Sequence, residues 1–217
     1  MKLGCMGCMV LVIVLVIAIV LGVAGTLFLS ANIYGSPEVV LVPFTSSDGF
    51  AAQQKLFEVL RRESGRSSRQ DPIVLTDREA TAFLSKYLEQ TAGLPLAPIT
   101  VRFIRREILI QGRTPLRHLL QGPPFAQLVP YLPEQRVNQP VWVTLRGPIN
   151  VESGIVGSAA RYGKIAVAEF ALGKQPVNTW LLTFMMGPSS MYLLRWQVPS
   201  NVERVEIEDG QLVIRTR

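Results

Sequence analysis

The sequence predicts an α+β protein: an N-terminal transmembrane helix followed by one domain with a curved, mainly antiparallel sheet packed against helices. Three observations lead there. No charge occurs from Leu3 to Pro37, and Met9 to Leu29 is almost wholly Val, Ile, Leu, Ala and Gly. Beyond it, β-type runs arrive in hairpins, with helices inserted between them and no βαβα rhythm. One amphipathic segment, Thr76 to Gly93, carries helix signals at both ends. At 217 residues, 48% hydrophobic and 18% charged, the chain has room for one anchor and one domain with a sizeable core.

About 20 apolar residues rising 1.5 Å each cover a hydrocarbon layer of roughly 30 Å, so residues 9–31 are expected to span a membrane. Lys2 and the amino terminus precede the run, and Glu38 and Asp48 come after it, before Lys55. Residues 1–8 are therefore expected in the cytoplasm and the rest outside it. The apolar run exceeds a signal-peptide core, which favours an uncleaved signal anchor. Cys5 and Cys8 stand before the run, whereas a lipoprotein cysteine follows one. With a single His across the membrane, they have no partners for a zinc site. They read as the lip of the helix, with S-palmitoylation left open. Asn32 to Arg217 has no cysteine and no glycosylation sequon, which suits a bacterial inner membrane and envelope.

Residues 32–72 form a juxtamembrane segment and helix. "EVVLVPF" is a short β-type run that Pro43 limits. "DGFAAQQKLFEVLRRE" is a helix of some four turns entered at Asp48. Its end carries Arg61 and Arg62, and Arg66 and Arg69 follow in a polar loop. These four are the candidate contacts with anionic head groups, although Glu58, Glu63 and Asp71 dilute their field. The net charge of +6 includes Lys2. No motif or aromatic platform accompanies it, so nucleic acid is not an expected partner.

The domain proper covers residues 73–217. In "VLTDREATAFLSKYLEQTAG", Thr76 and Glu79 make a capping box, Asp77 and Glu79 suit the positive end of the dipole, and Gly93 closes the helix. Ala80, Phe83, Leu84, Tyr87 and Leu88 form its apolar face. "ITVRFIRREILIQGR" is a hairpin turning near Arg105–Arg106. The Pro-rich stretch Thr114 to Pro140 reads as short helical turns. "QPVWVTLRGPINVESG" and "GKIAVAEFALG" are long strands, and Pro176 to Met186 is an apolar helix. "VERVEIEDGQLVIRTR" is a hairpin whose Asp209–Gly210 signals a type I′ turn.

The search for chemistry returns near misses. "GSAARYGKI" has the wrong glycine spacing for a phosphate loop and lies between strands. "MGPSSMY" lacks the last glycine of a nucleophile elbow. His118 is the only imidazole, so a hydrolase would depend on it, yet no carboxylate neighbours it in sequence. No catalytic residue, metal site or cofactor is expected. What the second half has in surplus is apolar bulk, from Trp142 to Trp196, which serves either a core or a groove.

The order of anchor, capped helix "LTDREATAFLSKYL", hairpin "VRFIRREILIQGR" and strands "VWVTLRGPINVE" and "KIAVAEFALGKQPV" resembles small membrane-anchored bacterial envelope domains of unknown function. Some of these are similar to the tubular lipid-binding (TULIP-like) superfamily. The resemblance covers most of residues 73–217 as a pattern, with no residue carried over by position, and Thr114 to Pro140 departs from it. It implies a long helix in a strongly curved sheet with an apolar channel between them. The expected function is non-catalytic binding of a lipid or other apolar ligand, with Phe83, Leu84, Leu88, Trp180, Phe184, Met185 and Trp196 lining the groove. The alternative is an assembly subunit with an envelope protein partner held on helix 176–186.

Overall fold

Helices and antiparallel strands share the chain as the hydrophobic periods predict. The computed structural model describes residues 31–91, 95–123, 125–153, 161–186 and 194–217. The expected N-terminus and anchor lie outside these, apart from Ala31. Among the described residues no helix is long and apolar enough to cross a membrane. Helix α1 spans Ser46–Glu63, strand β1 Ile73–Thr76 and helix α2 Asp77–Thr91. The hairpin β2 (Ile99–Ile104) and β3 (Glu107–Pro115) leads into short turns α3 (Leu116–Leu119), α4 (Phe125–Leu128) and α5 (Glu134–Val137). Strands β4 (Pro140–Gly147), β5 (Ile149–Ser153), β6 (Arg161–Ile165), β7 (Glu169–Leu172) and β8 (Gln175–Val177) precede helix α6 (Thr179–Met186). The last described elements are β9 (Arg195–Val198), β10 (Val202–Glu208) and β11 (Gln211–Thr216).

Hydrogen bonding divides the strands into three antiparallel sheets rather than the single curved sheet expected: β1-β11-β10, β2-β3-β4-β7-β8 and β5-β6-β9. The reason is local. Strands β4 and β5 form one long arm, β7 and β6 the other, and both bend where Gly147 and Pro148 face Ala166, Val167 and Ala168. Two residues opposite three make a bulge, and Pro148 has no N–H for the ladder. Pairing resumes through Ala168 N–H to Arg146 O at 2.8 Å and Ala166 N–H to Pro148 O at 2.9 Å. A Cβ on Gly147 would stand 2.0 Å from Ala166 O, so only glycine fits the bend. The curvature is thus made by folding one hairpin across two sheets.

The capping box on α2 forms: Thr76 N–H donates to Glu79 Oε2 at 2.9 Å, and Glu79 N–H donates to Thr76 Oγ1 at 3.4 Å. The same helix is sewn to the edge of β2. Val101 N–H donates to the buried Thr81 hydroxyl at 2.9 Å, and Phe103 N–H donates to Asp77 Oδ1 at 2.8 Å. Side chains one helical turn apart therefore satisfy alternate amides of a strand edge that would otherwise be open. At the end of β2, Gly210 N–H donates to Phe103 O at 2.8 Å and Arg105 N–H donates to Asp209 Oδ1 at 2.9 Å. These bonds tie the β10–β11 turn to the β2–β3 turn.

Two local expectations change. Arg105 and Arg106 both take positive φ, 52° and 68°, the signature of a type I′ turn. At Asp209–Gly210 only Gly210 does, at 81°, which is the pattern of a type II turn. The Asp209 carboxylate is occupied by the Arg105 amide instead. "EVVLVPF" is extended but joins no ladder. It straps the outer face of the five-stranded sheet, where the buried row Thr100, Gln111 and Thr144 lies in register. Val42 N–H donates to Thr100 Oγ1 at 3.2 Å, and Gln111 Nε2 donates to Glu38 O at 3.4 Å. Gly173, at φ +58°, lets the start of the strap pass, because a Cβ there would meet Ile33 O at 2.2 Å.

Candidate ligand cavity

The domain has two hydrophobic clusters. The larger gathers α2, the inner face of the five-stranded sheet and part of α6. The smaller joins Ala52 and Val59 of α1 to Ile73, Leu75, Val198, Val202 and Ile214. Between them is a cavity of about 310 Å³. Its walls come from α1 (Ala52, Leu56), from α2 (Ala80, Phe83, Leu84, Tyr87, Leu88) and from all three sheets. Leu75 and Leu212 belong to the first sheet, Phe103, Ile108 and Ile110 to the second, and Ile149, Ile165 and Trp196 to the third. No charged residue lines it among the described residues.

Periodicity explains the lining. On α2 the spacing 80, 83, 84, 87, 88 puts five residues on one face. Phe83 and Tyr87, one turn apart, stack with ring centres 5.8 Å apart and planes at 13°. On the sheet floor the pairing Phe103↔Ile108 and Val101↔Ile110 places alternate residues of both strands on the inner face. Trp196 is the most exposed lining residue, at 36%, and stands at the rim. Its ring lies over Gly163, its partner on β6, where a Cβ would meet the indole at 2.4 Å.

Charge is kept beside the cavity and paired. Lys55 on α1 donates to Glu79 Oε1 at 2.6 Å, Glu79 Oε2 at 2.8 Å and Val74 O at 2.8 Å, clamping α1 to α2. Burial works to raise the Glu79 carboxyl, but the bonds from Lys55 and the Thr76 amide outweigh it and hold it below the usual glutamate range. Asp77 goes the other way: burial raises it against the bond from the Phe103 amide.

Of the expected lining residues, Phe83, Leu84, Leu88 and Trp196 are brought together. Trp180 is 57% exposed on α6, and Met185 is buried in the larger cluster against α3. Neither lines the cavity: α6 packs Leu182 and Met185 into the filled part of the larger cluster and leaves Trp180 at the surface. The Phe184 side chain lies outside the described residues. Sequence reasoning placed Ala80 and Tyr87 on the apolar face of α2 without assigning them to the groove, and it missed Ala52, Leu56, Leu75, Phe103, Ile108, Ile110, Ile149, Ile165 and Leu212. The strand alternation contained Ile108 and Ile110, but nothing local says which strand face meets the helix.

The four arginines separate. Arg61, Arg66 and Arg69 are exposed. Arg62 is not a surface contact: its side chain is 5% exposed and donates to Asp71 O and Thr216 Oγ1, both at 2.8 Å. His118 is half-buried on α3, and burial, then the Arg117 charge, lowers its pKa. Arg161 to Ile165 of the phosphate-loop look-alike form strand β6. Among the described residues no cluster of His, Cys, Asp and Glu could hold a metal ion. Cys5 and Cys8 lie outside those residues.

No family model, curated protein or solved structure matches the chain.

Proposed function

We propose that the chain is a single-pass protein of a bacterial inner membrane whose extracytoplasmic domain binds a lipid by its hydrocarbon portion, without catalysis. The observation that carries this reading is the apolar cavity itself. The space of about 310 Å³ is apolar along its described lining and open at the Trp196 rim, so an apolar chain could enter it and be shielded from water. With no charged lining residue among the described residues, an ionised head group inside would be unpaired, so the head stays out and a tail goes in. A methylene is about the size of a water molecule, whose share of liquid volume is roughly 30 Å³, so the space suits one acyl chain of around ten carbons.

The arrangement of a helix over curved sheets around an apolar space is also what the resemblance to the tubular lipid-binding superfamily implies. The test is lipid extraction and mass spectrometry on the full-length chain purified from its membrane. One acyl chain per protein, lost in Ala80→Phe, supports the reading; an acyl content unchanged by that variant sinks it. A second reading, an assembly subunit holding an envelope protein partner on α6, draws its support from Trp180. Crosslinking that captures a stoichiometric partner through Trp180, with no bound acyl chain, would favour it.

A further inference from the structure

The inner and outer sides of α1 face different surroundings. Ala52, Leu56 and Val59 point inward to the cavity and the smaller cluster. Phe50 and Phe57, seven residues apart, lie on the opposite side, and Leu60 stands at its margin, one turn from Leu56. Phe50 and Phe57 are each 61% exposed and Leu60 is 51% exposed. In the segment entering the helix, Val40, Leu41 and Phe44 are also exposed. Six of the ten large hydrophobic residues exposed among the described residues thus fall within twenty-one positions of sequence, which scattered surface exposure does not produce.

Charge around this stripe has a sign. Of the carboxylates that dilute the arginines in the sequence, Glu58 and Glu63 are engaged by other groups, while Asp71 stays exposed. Asp48 accepts from Thr45 N–H at 2.7 Å, Glu58 from the Ser67 hydroxyl and Arg62, and Glu63 from Ser200 N–H at 2.8 Å. Arg61, on the same side as Phe57 and only loosely paired with Glu58 at 4.0 Å, and Arg66 and Arg69 just beyond the helix remain exposed. An apolar stripe with cations at one end is the composition of a helix lying in a lipid head-group layer. Connectivity favours the same occupant. Sixteen residues, 30–45, separate the apolar run Met9 to Leu29 from the helix start at Ser46, which keeps the helix within reach of the membrane that the run is proposed to enter.

We propose that the outer side of α1 is a docking surface for the anionic bilayer that holds the anchor, with Phe50, Phe57 and Leu60 entering the head-group boundary and Arg61, Arg66 and Arg69 meeting lipid phosphates. Helix α1 then stands as the wall between bilayer and cavity. This rests on the membrane attachment proposed above and not on the ligand.

The test uses the full-length chain with Cys5→Ser and Cys8→Ser, reconstituted in phosphatidylcholine/phosphatidylglycerol nanodiscs whose acyl chains are brominated or plain. A fluorophore is placed singly at Phe57→Cys, Leu60→Cys, Tyr131→Cys and Val16→Cys. Docking predicts bromine quenching at positions 57, 60 and 16 and none at Tyr131, which is 86% exposed. Neutralising Arg61, Arg66 and Arg69 to Gln should lower the docked-to-undocked ratio by about fivefold for each arginine. Quenching at 16 alone overturns the docking and leaves the anchor standing. A blue shift at 57 and 60 without quenching assigns the face to protein and overturns the proposal. Absence of quenching at 16 removes the tether and the docking together.

Discussion

Replacing Ala80 by phenylalanine separates a cavity from a filled core by the sign of one stability change. Ala80 sits on the inner face of α2, is 8% exposed and lines the cavity of about 310 Å³. A cavity of about 150 Å³ holds a benzene ring, so one phenyl group would occupy roughly half the space. Burying it contributes about 1.5–3 kcal/mol, less the rotamer freedom lost. The ligand-free variant should therefore gain around 1–2 kcal/mol, a rise in Tm of about 3–6 °C for a chain of this size. The same ring forced into a filled core would instead destabilise by about 1–3 kcal/mol. Thermal unfolding of delipidated full-length protein, followed by tryptophan fluorescence, reads the difference. Added single-chain amphiphile should raise the Tm of the wild type by mass action and leave that of Ala80→Phe unchanged. A lowered Tm, or a variant that still responds to the amphiphile, would refute the cavity reading.

Four further outcomes follow from the geometry. Glu79→Gln should destabilise the domain by about 1 kcal/mol at neutral pH, a value kept low because Lys55 is 37% exposed. Because the folded Glu79 pKa is depressed, its stabilisation is present above the ordinary glutamate pKa and is lost as pH falls through the lowered one. Acid unfolding of the wild type should therefore be steeper than that of Glu79→Gln. Thr81→Val removes the acceptor of the buried Val101 amide and should cost about 1–3 kcal/mol, measured by urea unfolding. Changing Arg105–Arg106 to Asn–Gly should stabilise by roughly 1 kcal/mol in the same assay, since it suits a turn with two positive φ angles. Gly163→Ala should displace Trp196 from the cavity rim, with a shift in fluorescence and a loss of about 1–3 kcal/mol.

How far the sequence could be read depended on whether the signal was local. The α2 helix was legible because its cap, dipole charges and apolar period all lie within twenty residues, and its five inward residues all line the cavity. The hairpins were legible for the same reason. Their joining was not: the bend at Gly147–Pro148 depends on Ala166 across the ladder, so one curved sheet became three. The hairpin turn at Arg105–Arg106 was legible but its type was not, because Arg–Arg is a poor type I′ sequence, held here by an aspartate about a hundred residues away. The strap over Thr100 and Gln111 looked like a strand because alternation cannot distinguish a ladder from side-chain hydrogen bonds. Among site residues, Trp180 and Met185 were expected in the groove on apolar character alone, and apolar character does not distinguish a filled part of the core from a cavity wall.

The most direct test of the central claim is photocrosslinking of the full-length chain in its membrane with a single-chain amphiphile carrying a diazirine near the tail end. The cavity account predicts label on peptides containing Phe83, Leu84, Ile108 and Ile110, at about one per chain and abolished by Ala80→Phe. Label confined to the apolar N-terminal run, or unchanged by that substitution, would contradict it.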